Sequence, residues 1–188
     1  PAALAAVSEL DEAAVEPQLR ILVRRELLVL DADPRSPERG QYAFVQALIR
    51  EVAYGTLARR DRKDRHLAAA RFFEGLGSDE LAGALAGHYL AAHADAAEGP
   101  EADALAAQAR LALRGAAERA AALGAHDQAV MFLEQALTVT ADTAEQAELL
   151  DRAGGEAMSA GRHAAAEDLL RQALEDRRVL REEIAAVG

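Results

Sequence analysis

Cysteine and tryptophan are absent from this 188-residue chain, and aromatic residues make up only 4% of it. Without cysteine there are no disulfides and no thiolate-based zinc or redox chemistry. The one lysine, Lys63, follows Asp61 and Arg62 rather than a glycine-rich loop, which excludes a phosphate-binding P-loop. The most apolar run, Leu27-Leu28-Val29-Leu30, is far too short to cross a bilayer. No signal-peptide pattern opens the chain, and the first residue is Pro1 rather than methionine. The expectation is a cytoplasmic piece of a longer protein whose remainder would hold any chemistry.

What is abundant is alanine, which makes up half of a 51% hydrophobic content. Alanine is the best helix former and lets helices approach closely, so the composition predicts an all-α chain with at most a small β element. The net charge of −11 is unevenly placed. Residues 1–78 carry 12 acidic and 12 basic side chains, whereas residues 79–188 carry 20 and 9. Two electrostatic regions predict two modules, 1–74 and 75–188. The acidic one should repel nucleic acid and anionic membrane, so the expected partners are proteins.

In the first module, Val15, Leu19, Leu22 and Leu27 recur at near-helical spacing, which predicts a helix over residues 11–28 with Asp11 as N-cap. Proline belongs in a first turn, so Pro17 places the start of the helix proper at Glu16. Leu28-Val29-Leu30 and Tyr42-Ala43-Phe44-Val45 are β-prone, and Pro34, Pro37 and Gly40 turn the chain between them. Helix, strand, turn, strand is the order of a winged helix, with its wing tip at residues 34–40. Helices over 46–60 and 62–73 follow, and Gly75 and Gly77 end the module.

The second module contains an internal repeat. Gly124, His126, Ala129, Leu133, Ala136 and Leu137 align with Gly161, His163, Ala166, Leu170, Ala173 and Leu174 at an offset of 37 residues. That is close to the ~34 residues of a tetratricopeptide repeat. The reasons are steric. Each glycine closes a helix with a left-handed turn, and Ala129 and Ala166 sit where helices cross. Leu133, Leu137, Leu170 and Leu174 form the stripe that the next helix covers, and Leu149 and Leu150 start the partner helix of the second pair. A looser unit lies upstream, with helices near 80–93 and from Glu101, joined through Gly99-Pro100. Residues 101–123 read either as one long helix or as two broken near Gly115.

No catalytic constellation is present. His66, His88, His93, His126 and His163 are never four apart and read as surface or cap residues, with no helical metal site. Ser8, Ser36, Ser78 and Ser159 have no nucleophile context, and Glu182-Glu183 reads as a solvated face. No catalytic, cofactor or metal residue is therefore assigned. The first helix of each repeat pair lines the concave face in such arrays, which points Arg114, Glu118, Glu148 and Asp151 toward a groove for peptide or protein. The run Arg59, Arg60, Arg62, Lys63 and Arg65, interrupted by Asp61 and Asp64, reads as a solvated helix junction or as a docking surface for an acidic neighbouring domain. Glu12, Glu16 and Glu26 offset Arg20, Arg24 and Arg25, so a DNA-reading helix is not expected.

One stretch goes beyond generic pattern. Leu22-Val23-Arg24-Arg25-Glu26-Leu27-Leu28, Asp33-Pro34-Arg35-Ser36-Pro37-Glu38-Arg39-Gly40-Gln41-Tyr42 and Phe44-Val45-Gln46-Ala47-Leu48-Ile49-Arg50-Glu51-Val52-Ala53-Tyr54-Gly55-Thr56-Leu57 form a signature. It resembles the region after the ATPase core of bacterial multidomain adenylate/guanylate cyclases, which carry a cyclase domain, an AAA ATPase and tetratricopeptide repeats. The stretch from Asp61 to Ala70 and His88-Tyr89-Leu90 continue the resemblance, which covers nearly the whole chain and is most specific through about Phe73. It implies a regulatory arm, with ATP and Mg bound by upstream domains and no cofactor in this segment. Many relatives have a nucleotide-sensing histidine where this chain has Gln46, so no such contact is carried over. Related ATPase regulators without a cyclase domain share a looser version. They imply an alternative, the effector arm of a transcriptional regulator with a DNA-binding winged helix.

Overall fold

In a computed structural model, residues 2–32 and 40–187 are described. Alanine-rich segments form helices as the composition predicts, in the order α1 (Ala2–Ser8), α2 (Glu12–Arg24), β1 (Leu28–Leu30), β2 (Tyr42–Phe44), α3 (Ala47–Gly55), α4 (Arg59–Leu76), α5 (Ala82–Asp95), α6 (Pro100–Ala122), α7 (His126–Leu137), α8 (Thr143–Ser159) and α9 (His163–Val187). The chain is mostly helical with one small two-stranded antiparallel sheet. No helix among the described residues is long and apolar enough to cross a membrane.

The helix α2 begins at Glu12 rather than Glu16 and runs through Pro17. The missing N–H deprives the Ala13 carbonyl of a partner, but both residues are exposed, so water can replace the lost bond. The helix stops at Arg24 rather than continuing to residue 28, because Leu28–Leu30 is taken by the strand pairing with Tyr42–Phe44. Leu28 opposes Phe44, and Leu28 closes a small core with Val15 and Leu19. Asp31 N–H donates to Gln41 O at 2.9 Å and Gly40 N–H to Asp31 O at 2.7 Å, closing the hairpin. The expected wing tip, apart from Gly40, lies outside the described residues.

After the hairpin, α3 ends at Gly55, five residues before the expected limit, and α4 then runs from Arg59 past Gly75 to Leu76. Gly77, at φ 59°, is the terminator. The buried Ala70 of α4 joins Tyr89 and Ala92 of α5 and Leu105 and Ala109 of α6 in one core, so hydrophobic packing continues across the expected boundary at residue 74. Inside this core the Tyr89 hydroxyl donates to Glu74 Oε1 at 2.7 Å. Burial first, and the Glu74 carboxylate second, push the phenol up to about 12. The unfolded chain gives up that proton near 10. Stability from this group is therefore complete below about pH 10 and lost as pH rises through 12. Spectroscopic titration is expected to show a tyrosinate step near 12 that Tyr89→Phe removes.

From α4 onward each helix packs on its chain neighbours: α4 on α5, α5 on α6, α6 on α7, α7 on α8 and α8 on α9. The segment around Gly115 is continuous, so α6 is one helix of 23 residues. Gly124 and Gly161 both take φ 74° just after α6 and α8, the left-handed geometry expected of them. Ala129, Ala136, Ala166 and Ala173 are all fully buried in the core shared by α5 to α9. Two expectations need correction. The helix α8 starts at Thr143, where the Asp142 side chain accepts from Glu145 N–H, and Leu149 and Leu150 lie at its middle. Leu174 is 65% exposed, on a face of α9 that no helix among the described residues covers.

Gly154 sits where α9 packs tightly on α8. A Cβ there would lie 2.6 Å from Leu170 Cγ, whereas one on Gly155 would meet nothing within 4 Å. Alanine gains about 1 kcal/mol over glycine in a helix, and overpacking costs about 1–3 kcal/mol. Gly155→Ala is therefore expected to stabilise the protein and Gly154→Ala to destabilise it, as read by thermal melts.

Candidate functional site

On α4, Arg62, His66, Ala69 and Phe73 recur at three- and four-residue intervals and so share one face. That face meets α5, which carries His88. The two half-buried imidazoles meet Nδ1 to Nδ1 at 2.9 Å. Phe73 stacks on His88 with ring centroids 5.4 Å apart, and the Tyr54 hydroxyl of α3 bonds His66 Nε2 at 2.9 Å. Above them, the Arg62 guanidinium lies 5.3 Å from the Tyr54 ring centre. It also grips Asp95 of α5 with two bonds of 2.6 and 2.9 Å. These bonds hold the Asp95 carboxyl below its usual range and raise the arginine.

The Nδ1 contact accepts one proton between the rings, so the pair can carry a single shared charge. A second proton would set two N–H groups against each other and break the bond. Burial pushes His66 below its ordinary range; the Asp95 carboxylate opposes this and the Arg62 charge adds to it. Burial also lowers His88, with the His66 charge as the smaller cause. The unfolded chain takes up these protons near 6.5, before the folded chain does, so stability falls as pH drops below about 6.5. Melting temperature is expected to decline between about pH 7 and 5.5, with a shallower slope in His88→Phe. An unchanged slope would remove the histidines as its cause.

Around this cluster lies a pocket of about 450 Å³ whose apolar wall includes Leu4 and Val7 of α1, Phe44 of β2, Leu57, and Phe72 of α4. Its size is that of a small-molecule site. The expectation that His66 and His88 are surface or cap residues is thus corrected. The signal was present in the helical face Arg62-His66-Ala69-Phe73, but the partner ring on α5 is set by tertiary packing. His126 and His163 do open helices α7 and α9, and His126 bonds Glu156 at 2.7 Å. No protein family, curated protein or solved structure matches the chain.

The basic run serves the junction between α4 and the next two helices. Arg59 donates to Ala94 O at 2.9 Å and faces Asp95 at 3.7 Å, and Lys63 Nζ meets Glu101 of α6 at 2.6 Å. Arg60 pairs with Asp64 of its own helix at 3.7 Å, and Arg65 donates to Val7 O of α1 at 3.2 Å. The acidic neighbours engaged by Arg59, Arg62 and Lys63 are therefore in this chain. Arg62 and Lys63 are largely covered rather than solvated, their side chains keeping 20% and 14% of their exposure.

The four residues expected in a groove fall on α6 and α8, in a band of ion pairs. Arg114 of α6 reaches Glu145 at 3.3 Å and Glu148 at 3.6 Å on α8. Arg110 meets Glu145 at 3.2 Å, and Arg152 of α8 returns to Glu118 of α6 at 3.2 Å. Asp151 instead pairs with Arg177 of α9 at 3.1 Å. All four carry partners within the chain. Glu118 and Glu148 remain about two-thirds exposed. Among the described residues no group of three or more His, Asp or Glu side chains is placed to hold a metal ion.

Proposed function

We propose that this chain is a non-catalytic regulatory and protein-interaction segment of a larger cytoplasmic signalling protein. In this reading residues 1–74 form a winged-helix-like module and residues 75–188 a tetratricopeptide-like superhelix. One observation carries it: Gly124 and Gly161 close α6 and α8 with the same φ of 74°, and the helices that follow bury alanines at the same offsets. A unit repeated in sequence and in backbone geometry is the mark of stacked helical pairs, whose continuous faces bind protein. The parent we favour is an adenylate/guanylate cyclase with an ATPase domain, on the resemblance of residues 22–73. Such a parent would hold ATP and Mg upstream, and nucleotide state would reach the helical array through domain docking.

The test is titration of the chain with separately produced ATPase core of its parent, followed by calorimetry. Binding at micromolar concentration is expected, and no interaction at high micromolar concentration would count against the reading. The DNA-binding alternative gains nothing from Arg59, Arg62 and Lys63, which are engaged with Asp95 and Glu101. A shift of mixed duplex at low salt would revive it.

A further inference from the structure

The pocket beside the histidine pair has a charge opposite to that of the chain around it. Its ionisable lining groups are Arg50, Arg62, Arg65, His66 and His88 with the Tyr54 phenol, and no carboxylate is among the described residues that line it. This occurs in a chain of net charge −11. Arg62 is spent on Asp95, and Arg65 uses one N–H on Val7 O. Arg50, on α3, is exposed and has no ionic partner among the described residues. The wall is otherwise apolar, from Leu4, Phe44, Leu57 and Phe72. A cavity of about 450 Å³ with an apolar wall and a few convergent basic groups selects a ligand that is mostly hydrocarbon and carries one negative charge.

We propose that this pocket binds a small amphipathic carboxylate, its apolar body against the phenylalanine and leucine wall and its charge facing the arginines and the imidazole pair. The inference does not rest on the protein-binding reading above. Binding would be linked to protons. The groups facing the imidazoles are Tyr54 and Arg50 from α3, Arg62 and Arg65 from α4 and Asp95 from α5, whereas α1 and β2 contribute only Ala3, Leu4, Val7 and Phe44. Of these only the imidazoles titrate between about pH 5 and 8. An anionic ligand favours the single shared imidazolium charge, so affinity should rise as pH falls.

The experiment titrates the whole chain with decanoate, decanol and decylammonium, near pH 5.5 and near pH 8, by calorimetry and by NMR of the five histidine rings. Decanoate is expected to bind about tenfold more tightly than decanol, the size of one charge-assisted hydrogen bond, with decylammonium weakest. Its affinity should be higher at the lower pH, and the perturbed rings should be His66 and His88. Arg50→Glu, on an exposed helix face, should cost decanoate about tenfold and leave decanol unchanged. Equal affinity for all three probes, perturbation confined to His93, His126 or His163, or no effect of Arg50→Glu would overturn the proposal. So would binding to anionic phospholipid vesicles without binding of decanoate, which would assign the charge to a lipid surface.

Discussion

Leu149→Ala is expected to lower stability by about 2–5 kcal/mol, measured by urea denaturation followed by far-UV circular dichroism. Leu149 is fully buried in the core that α5 to α9 share, with Leu113, Val130 and Leu133 in the same cluster. Removing its branched end forfeits the transfer energy of the lost carbons and leaves a cavity that rigid neighbouring helices close only in part. Leu174 is the internal control, since the same truncation there removes a side chain already 65% exposed. Leu174→Ala should change stability by less than about 0.5 kcal/mol. If both variants lost the same small amount, the shared core would not be the source of stability.

Ala129→Leu and Ala166→Leu should each cost about 1–3 kcal/mol by the opposite mechanism. Both alanines are fully buried, and their place in the repeat gives them the same role in successive helical pairs. Ala166 lies at a close contact of α9 with α8, its carbonyl oxygen 3.5 Å from where a Gly154 Cβ would be. Leucine there must displace α8 or leave its preferred rotamer. The melting temperature of each variant decides the matter, and an unchanged value at either site would mean that the seam has room to spare.

These seams were the most legible part of the chain. Glycine before a helix and alanine at a crossing are demanded by backbone geometry and contact distance, so residue type alone reports them. Helix limits were less legible where two local preferences compete. The segment from Arg25 to Leu30 satisfies a helical stripe as well as a strand, and only pairing with Tyr42–Phe44 decides. Pro17 was misplaced because the rule against interior proline assumes a carbonyl cut off from water, and here the neighbouring backbone is exposed.

The candidate pocket was harder to find. Arg62, His66 and Phe73 announce a face, but His88 is 22 residues away and joins them only through the docking of α5 on α4. The charged band had a different fault. Arg114, Glu118, Glu148 and Asp151, read as facing a groove, lie on α6 and α8 in ion pairs, and partner choice depends on the register between helices, which spacing within one helix does not encode.

The serial packing of α4 to α9, each helix chiefly on its chain neighbours, also determines how the molecule would answer a tensile load. Among the described residues the one sheet, β1 with β2, does not join the two ends of the array, so force applied along it would peel helices away one hairpin at a time. Each release would let out a short length of chain while the remaining pairs kept their shape. A connector built this way yields by extension rather than by rupture.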